Sequence, residues 1–175
     1  MALKTKILYK DGIEKRNDFL KAKKIANTIE IYIKEEEIQK KLRETHIHNA
    51  NSWQIQAILL SKMEELGFIS EKKGLFNNYP TKQLRPDYFL DIGNNKGIII
   101  EVERGKTIAN NMDLLDLWKC HICSSANFLF LIIPQIRQTA KGGHNNIFDI
   151  VEKRMQSFFE KINYTNVDAV FLFGY

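Results

Sequence analysis

The stretch Arg85-Pro86-Asp87-Tyr88-Phe89-Leu90-Asp91-Ile92, the turn Gly93-Asn94-Asn95-Lys96, and then Gly97-Ile98-Ile99-Ile100-Glu101-Val102-Glu103-Arg104-Gly105-Lys106 decide how this chain is read. Two apolar runs of strand length flank a turn rich in glycine and asparagine, the pattern of a β-hairpin. Asp87, Glu101 and Glu103 stand at the far ends of these strands, where an apolar strand has no packing use for a carboxylate. Counting back from the turn leaves two registers open. A three-residue loop centred on Asn94 sets Asp87 opposite Glu101, and one centred on Asn95 sets it opposite Glu103. Both keep the acids on one face, because strand side chains alternate. Asp91 has the parity of Asp87 but adjoins the turn, where water reaches it. Like charges facing each other across strands repel. The cluster therefore calls for a cation, and hard carboxylate oxygens suit Mg²⁺.

Pro86-Asp87, a strand, a turn and an apolar strand ending in Glu101-Val102-Glu103 resemble the motif of the PD-(D/E)xK nuclease superfamily, which includes most type II restriction endonucleases. Glu103 holds the position usually given to lysine, similar to the Glu-x-Glu variant of BamHI/BglII-like restriction enzymes. The run through Arg104-Gly105 is also similar to one in replication-relaxation proteins of mobile elements. The resemblance covers residues 50–134. It implies an α/β (α+β) restriction-endonuclease-like core, a mixed central β-sheet flanked by helices. It also implies a Mg²⁺-dependent double-stranded DNA endonuclease with Asp87 and Glu101 as metal ligands. Glu103 then orients or deprotonates the attacking water. Lys106, three residues further on, is the candidate to restore the missing cation, with Lys119 as the second. Related nucleases carry a glutamate on the first helix, about three turns before its terminal glycine. Counting back from Gly67 gives Gln56, an accessory position without the charge. One active site per subunit and a palindromic target imply a homodimer. The alternative is a DNA-binding replication-control protein of a mobile element that keeps the fold with little or no cleavage.

The rest of the composition fits a nucleic-acid partner. Among 175 residues, 26 Lys and Arg against 21 Asp and Glu give a net charge of +5, which favours a polyanion. No apolar segment follows the basic start, and the longest apolar run, Phe128 to Pro134, is too short to cross a bilayer. A cytoplasmic protein is expected. Cys120 and Cys123 lack the second cysteine pair that a structural zinc site needs, so reduced thiols are expected.

A single nuclease domain over 1–175 is expected, with 1–45 a helical N-terminal extension, 50–134 the catalytic core and 135–175 a C-terminal helix and strand. A helix opens at Asn51 or Ser52, repeats apolar residues at Ile55, Leu59, Met63 and Leu66, and stops at Gly67. Phe68 to Phe76 reads as a first strand. The hairpin strands are 84–92 and 97–103. Thr107 caps a helix running to Cys123, with Met112, Leu115 and Trp118 or Lys119 along it. The apolar run from Asn127 to Pro134 predicts a central strand buried on both faces. In the polar loop 135–146, Arg137, Lys141 and Asn145 are side-chain types that contact phosphates and base edges. Ile147 to Ile162 reads as a helix and Val167 to Tyr175 as a closing strand. His46 and His48 alternate, suggesting a surface or phosphate-contact role ahead of a metal pair.

Overall fold

Strict alternation along the apolar runs builds two cores, one on each side of a sheet. The computed structural model describes residues 2–46, 52–104, 107–108, 110–138 and 143–175. In chain order the elements are β1 (Lys4–Tyr9), α1 (Asn17–Lys34), α2 (Glu36–Thr45), α3 (Ser52–Glu65), β2 (Ile69–Ser70), β3 (Tyr88–Gly93) and β4 (Lys96–Val102). They continue with α4 (Met112–Ile122), β5 (Phe128–Ile133), β6 (Ile136–Gln138), β7 (His144–Asn146), α5 (Ile147–Gln156), a 3₁₀ turn (Ser157–Phe159) and β8 (Ala169–Gly174). The main sheet has six strands in the order β1-β8-β5-β4-β3-β2, with β4, β5 and β8 parallel and the others antiparallel to their neighbours. This is the mixed sheet flanked by helices that the element order predicted.

β5 lies between β4 and β8, and all its side chains are buried. Phe128, Phe130 and Ile132 join Ile98, Ile100, Phe171 and Phe173 under α1, α2 and α3. Leu129, Leu131 and Ile133 join Ile99, Val170 and Leu172 under α4 and α5. Burial on both faces is why this strand reads as an unbroken apolar run. Truncating a side chain such as Phe130 to alanine would cost about 3–5 kcal/mol.

The first of the two hairpin registers is the one formed. Tyr88 pairs with Ile100, so Asp87 falls level with Glu101. The loop itself is tighter than either expectation. Asn94 and Asn95 both take positive φ (56° and 54°), as a two-residue hairpin turn requires, and a bulge between Asp91 and Gly93 absorbs the extra residue. Asp91 accepts a hydrogen bond from the Gly93 N–H at 2.7 Å. Gly97 is required by space: a Cβ there would lie 2.4 Å from the Ser125 carbonyl oxygen.

Several expected boundaries shift. Residues 1–45 hold the two expected helices but begin with β1, an edge strand on β8, so they complete the sheet as well as cover it. Their isolated aliphatics, Phe19, Ala22, Ala26, Ile29 and Ile33, form the buried stripe of α1. The strand read over Phe68 to Phe76 is only Ile69–Ser70, because Glu71 and Gly74 take positive φ (44° and 86°) and turn the chain away. α4 starts at Met112, not Thr107, behind a left-handed Asn111. Its inward face is also different: Asp113, Asp116, Leu117 and Cys120 are buried, while Leu115 and Trp118 are exposed. α5 gives way to the 3₁₀ turn after Gln156, and Ile162 is exposed. β8 closes the chain but sits inside the sheet, between β5 and β1. No helix among the described residues is long and apolar enough to cross a membrane.

Candidate functional site

β4 and β5 run in parallel, so their carboxyl ends open on one rim of the sheet. Loops at such a rim commonly form ligand sites in open α/β sheets. Glu101 and Glu103 occupy the end of β4, with the Glu103 N–H donating to the Ile132 carbonyl at 2.8 Å. Their side chains share the face of Ile99, toward α4. Asp87 enters the same face from the start of β3, and its Oδ2 accepts the Val102 N–H at 2.7 Å. This hydrogen bond fixes one carboxylate against the strand that carries the others.

Helices on both sides complete the cluster. From α3, the Gln56 side chain hydrogen-bonds Asp87, while the Gln56 backbone carbonyl accepts the Tyr88 hydroxyl at 2.7 Å. From α4, Lys119 Nζ donates to Glu101 Oε1 at 2.6 Å and lies 3.5 Å from Asp116 Oδ1. Lys119, Glu101 and Asp116 are all nearly inaccessible, with side-chain exposures of 14%, 5% and 2%. The other oxygen of Asp116 is buried with no hydrogen-bond partner among the described residues.

Too much negative charge is gathered here for water-poor surroundings. Burial, then the neighbouring Asp116, raises the Glu101 carboxyl well above its ordinary value. Glu103 is pushed up to about 8 by burial, then by Asp116 and Asp87. Asp116 is pushed up to about 7 by burial, with Asp87 adding to it and Lys119 opposing. Burial also raises Asp87, against the pull of the Val102 hydrogen bond. Burial works against the charge of Lys119, yet Glu101 and Asp116 hold its pKa above the usual lysine range. Asp87, Glu101, Glu103 and Asp116 thus face Lys119 with excess negative charge whenever they ionise.

Comparison with protein families, curated proteins and solved structures finds no match. The site is therefore read from its own chemistry. Its donors are carboxylate oxygens, suited to a hard divalent cation, and their raised pKa values fit a place short of positive charge. Among the described residues, no group of three or more His, Cys, Asp or Glu side chains is arranged to hold a metal ion. Asp87 and Glu101 offer two carboxylates, the number with which Mg²⁺ is often held while water and phosphate fill the rest.

The other sequence candidates fall in three places. Lys106, Lys141 and His48 lie outside the described residues. Arg137 and Asn145 face each other across a two-stranded ribbon of β6 and β7, where a plain loop was expected. The ribbon starts just beyond β5, and at its base His46 Nε2 lies 3.3 Å from the Ile136 carbonyl oxygen. His46 also packs edge-on against Tyr175, whose hydroxyl donates to the Glu103 carbonyl at 3.0 Å. It is a half-buried strut joining ribbon to rim, and burial lowers its pKa. Cys120 and Cys123 are free, buried thiols in the core under α4.

Asp116 was missed by sequence reasoning. The signal was available: Asp113, Asp116 and Lys119 repeat every third residue, one helix face that also carries Leu117 and Cys120.

Proposed function

We propose that this protein is a Mg²⁺-dependent double-stranded DNA endonuclease of the restriction type, belonging to the PD-(D/E)xK superfamily. The observation that carries the reading is the meeting of half-buried Asp87 and Glu103 and buried Glu101 with an inward lysine, Lys119 Nζ at 2.6 Å from Glu101. Lys119 comes from α4 to the neighbourhood where the family motif has its lysine and this chain has Glu103. It replaces Lys106 as the leading candidate for that role.

Asp87 and Glu101 hold the cation in this reading, and Gln56 steadies Asp87. When bound, Mg²⁺ would ease deprotonation of the attacking water and neutralise charge building on the phosphoryl oxygens. Glu103 orients the water and accepts its proton, for which a carboxyl titrating near neutrality is suited. Lys119 supplies a positive charge toward the phosphoryl group. Arg137 and Asn145 on the ribbon contact base edges of the DNA, and Lys141 contacts phosphate. A homodimer would present two such sites to a palindrome.

The Lys119–Glu101 ion pair also favours a second reading. A carboxylate already neutralised by lysine suits a replication-control protein that binds DNA without cutting it. Incubating the protein with plasmid DNA of known sequence and Mg²⁺ separates the two. Discrete fragments are the expected result; retention on DNA with no cutting supports the second reading.

A further inference from the structure

Lys119 sits between two acids but serves only one of them well. Its ammonium is 2.6 Å from Glu101 and 3.5 Å from Asp116. Asp116 precedes it by three residues on α4 and is 1% exposed, with Oδ2 unpartnered among the described residues. A buried carboxylate with an unused oxygen is costly to keep, and replacement by an apolar residue would be the simpler structure. Lysine has a flexible stem and three donors, so a movement of about 1 Å would give Asp116 a full hydrogen bond.

We propose that Asp116 is a positioning residue, a second seat for the Lys119 ammonium. Lys119 neutralises Glu101 in the metal-free protein and moves onto Asp116 when a divalent cation takes Glu101. The inference rests on the reading of Asp87 and Glu101 as the cation site. Two cations cannot both hold the same oxygen of Glu101 at close range, because they repel. Expelling the lysine into the buried space without a partner would be worse, since burial opposes its charge. Asp116 removes that obstacle. It keeps the ammonium within the site, beside Glu101.

Calorimetric titration of the full chain with Mn²⁺ tests this without any cleavage assay. The wild type should bind and Asp87→Ala should not; absence of binding in the wild type overturns the cation site and this inference together. Given binding, Asp116→Asn should weaken it about 10-fold, and Asp116→Glu should restore part of the loss. Lys119→Met should tighten binding, because the internal competitor is gone. In the Lys119→Met background, Asp116→Asn should cost less than about 3-fold, since Asp116 acts through the lysine. An equal loss in both backgrounds, or no loss in the wild-type background, overturns the positioning role and leaves the cation site standing. A measurement on the unaltered side chains guards against misfolded variants. The Lys119 side-chain ¹⁵N resonance should shift when Mg²⁺ saturates the wild type, and a resonance that stays in place overturns the movement.

Discussion

Buried aspartates at the two ends of the sheet have opposite fates. At the amino ends of the parallel strands, Asp168 is held by Arg16 at 2.7 Å, Lys10 at 3.2 Å and Lys96 at 3.3 Å. Burial alone would raise its pKa, but the Arg16 and Lys10 hydrogen bonds and the Lys96 charge outweigh it, and the carboxyl stays below its usual range. At the carboxyl ends, Asp87, Glu101, Glu103 and Asp116 face Lys119, and all four acids titrate above theirs. Burial acts at both ends, more heavily on Glu101 and Asp116 than on Asp168, and the cations that oppose it differ in number. The first cluster has its cations built in. The second sets one, Lys119, against four acids.

The comparison breaks first on activity. Asp87→Ala and Glu101→Ala should each lower plasmid cutting by about 10³-fold or more, while DNA binding survives in Ca²⁺. Asp168→Asn should leave the cutting rate unchanged. Loss of cutting in Asp168→Asn at a temperature where it is folded would erase the distinction between the two ends. Glu103→Lys should also lose activity, because a new ammonium competes with the cation for Asp87 and Glu101. Wild-type rates in both Glu103→Lys and Glu103→Ala would remove Glu103 from the chemistry.

Stability should show the same contrast with opposite signs. The depressed pKa of Asp168 contributes stability that is present above the ordinary carboxyl value of 3.8 and lost as pH falls through the folded value. Asp168→Asn should therefore cost about 1–2 kcal/mol at pH 7, allowing for the water around its partners, and nothing in strong acid. The Glu103 carboxyl, raised from 4.5 to about 8, has the reverse linkage: the metal-free protein loses stability as pH rises through that window. Glu103→Gln should be the more stable form at pH 8 by about 1–3 kcal/mol and equal to wild type below pH 4.5. Denaturant titrations at both pH values read the two effects together.

How much of this the sequence made legible depends on the kind of signal. The apolar run of β5 and the stripe Ile55, Leu59, Met63 of α3 were readable because a strand buried on both faces and a packed helix repeat in different periods. The facing of Asp87 and Glu101 was readable as one of two registers, because side-chain parity survives a change of turn. The turn itself was not, since the bulge after Asp91 trades a loop residue for a strand residue. The rotation of α4 ran against the usual rule. Leu115 and Trp118 looked like the core face, yet the acids point inward, where Arg154 lies 3.1 Å from Asp113 and Lys119 lies 3.5 Å from Asp116. β1 was hidden for a related reason: an edge strand with exposed lysines carries little alternation.

The ribbon sharpens the functional side with smaller effects. Arg137→Ala should cost about 1–3 kcal/mol on a cognate duplex and little on a scrambled one. Lys141→Ala should weaken both alike and lower the salt slope by about one unit. Wild-type behaviour of both variants would move recognition elsewhere, to the lysine-rich first 45 residues.

Thermal unfolding of the wild type with and without Mg²⁺, at pH 5.5 and at pH 8, tests the missing-cation claim most directly. Protons that the raised carboxyls hold in the metal-free protein must leave when a cation binds, so its grip tightens as pH rises. Mg²⁺ should raise Tm at pH 8, raise it far less at pH 5.5, and do neither in Glu101→Ala. A Tm indifferent to Mg²⁺ at pH 8, or an equal rise in Glu101→Ala, would contradict the account.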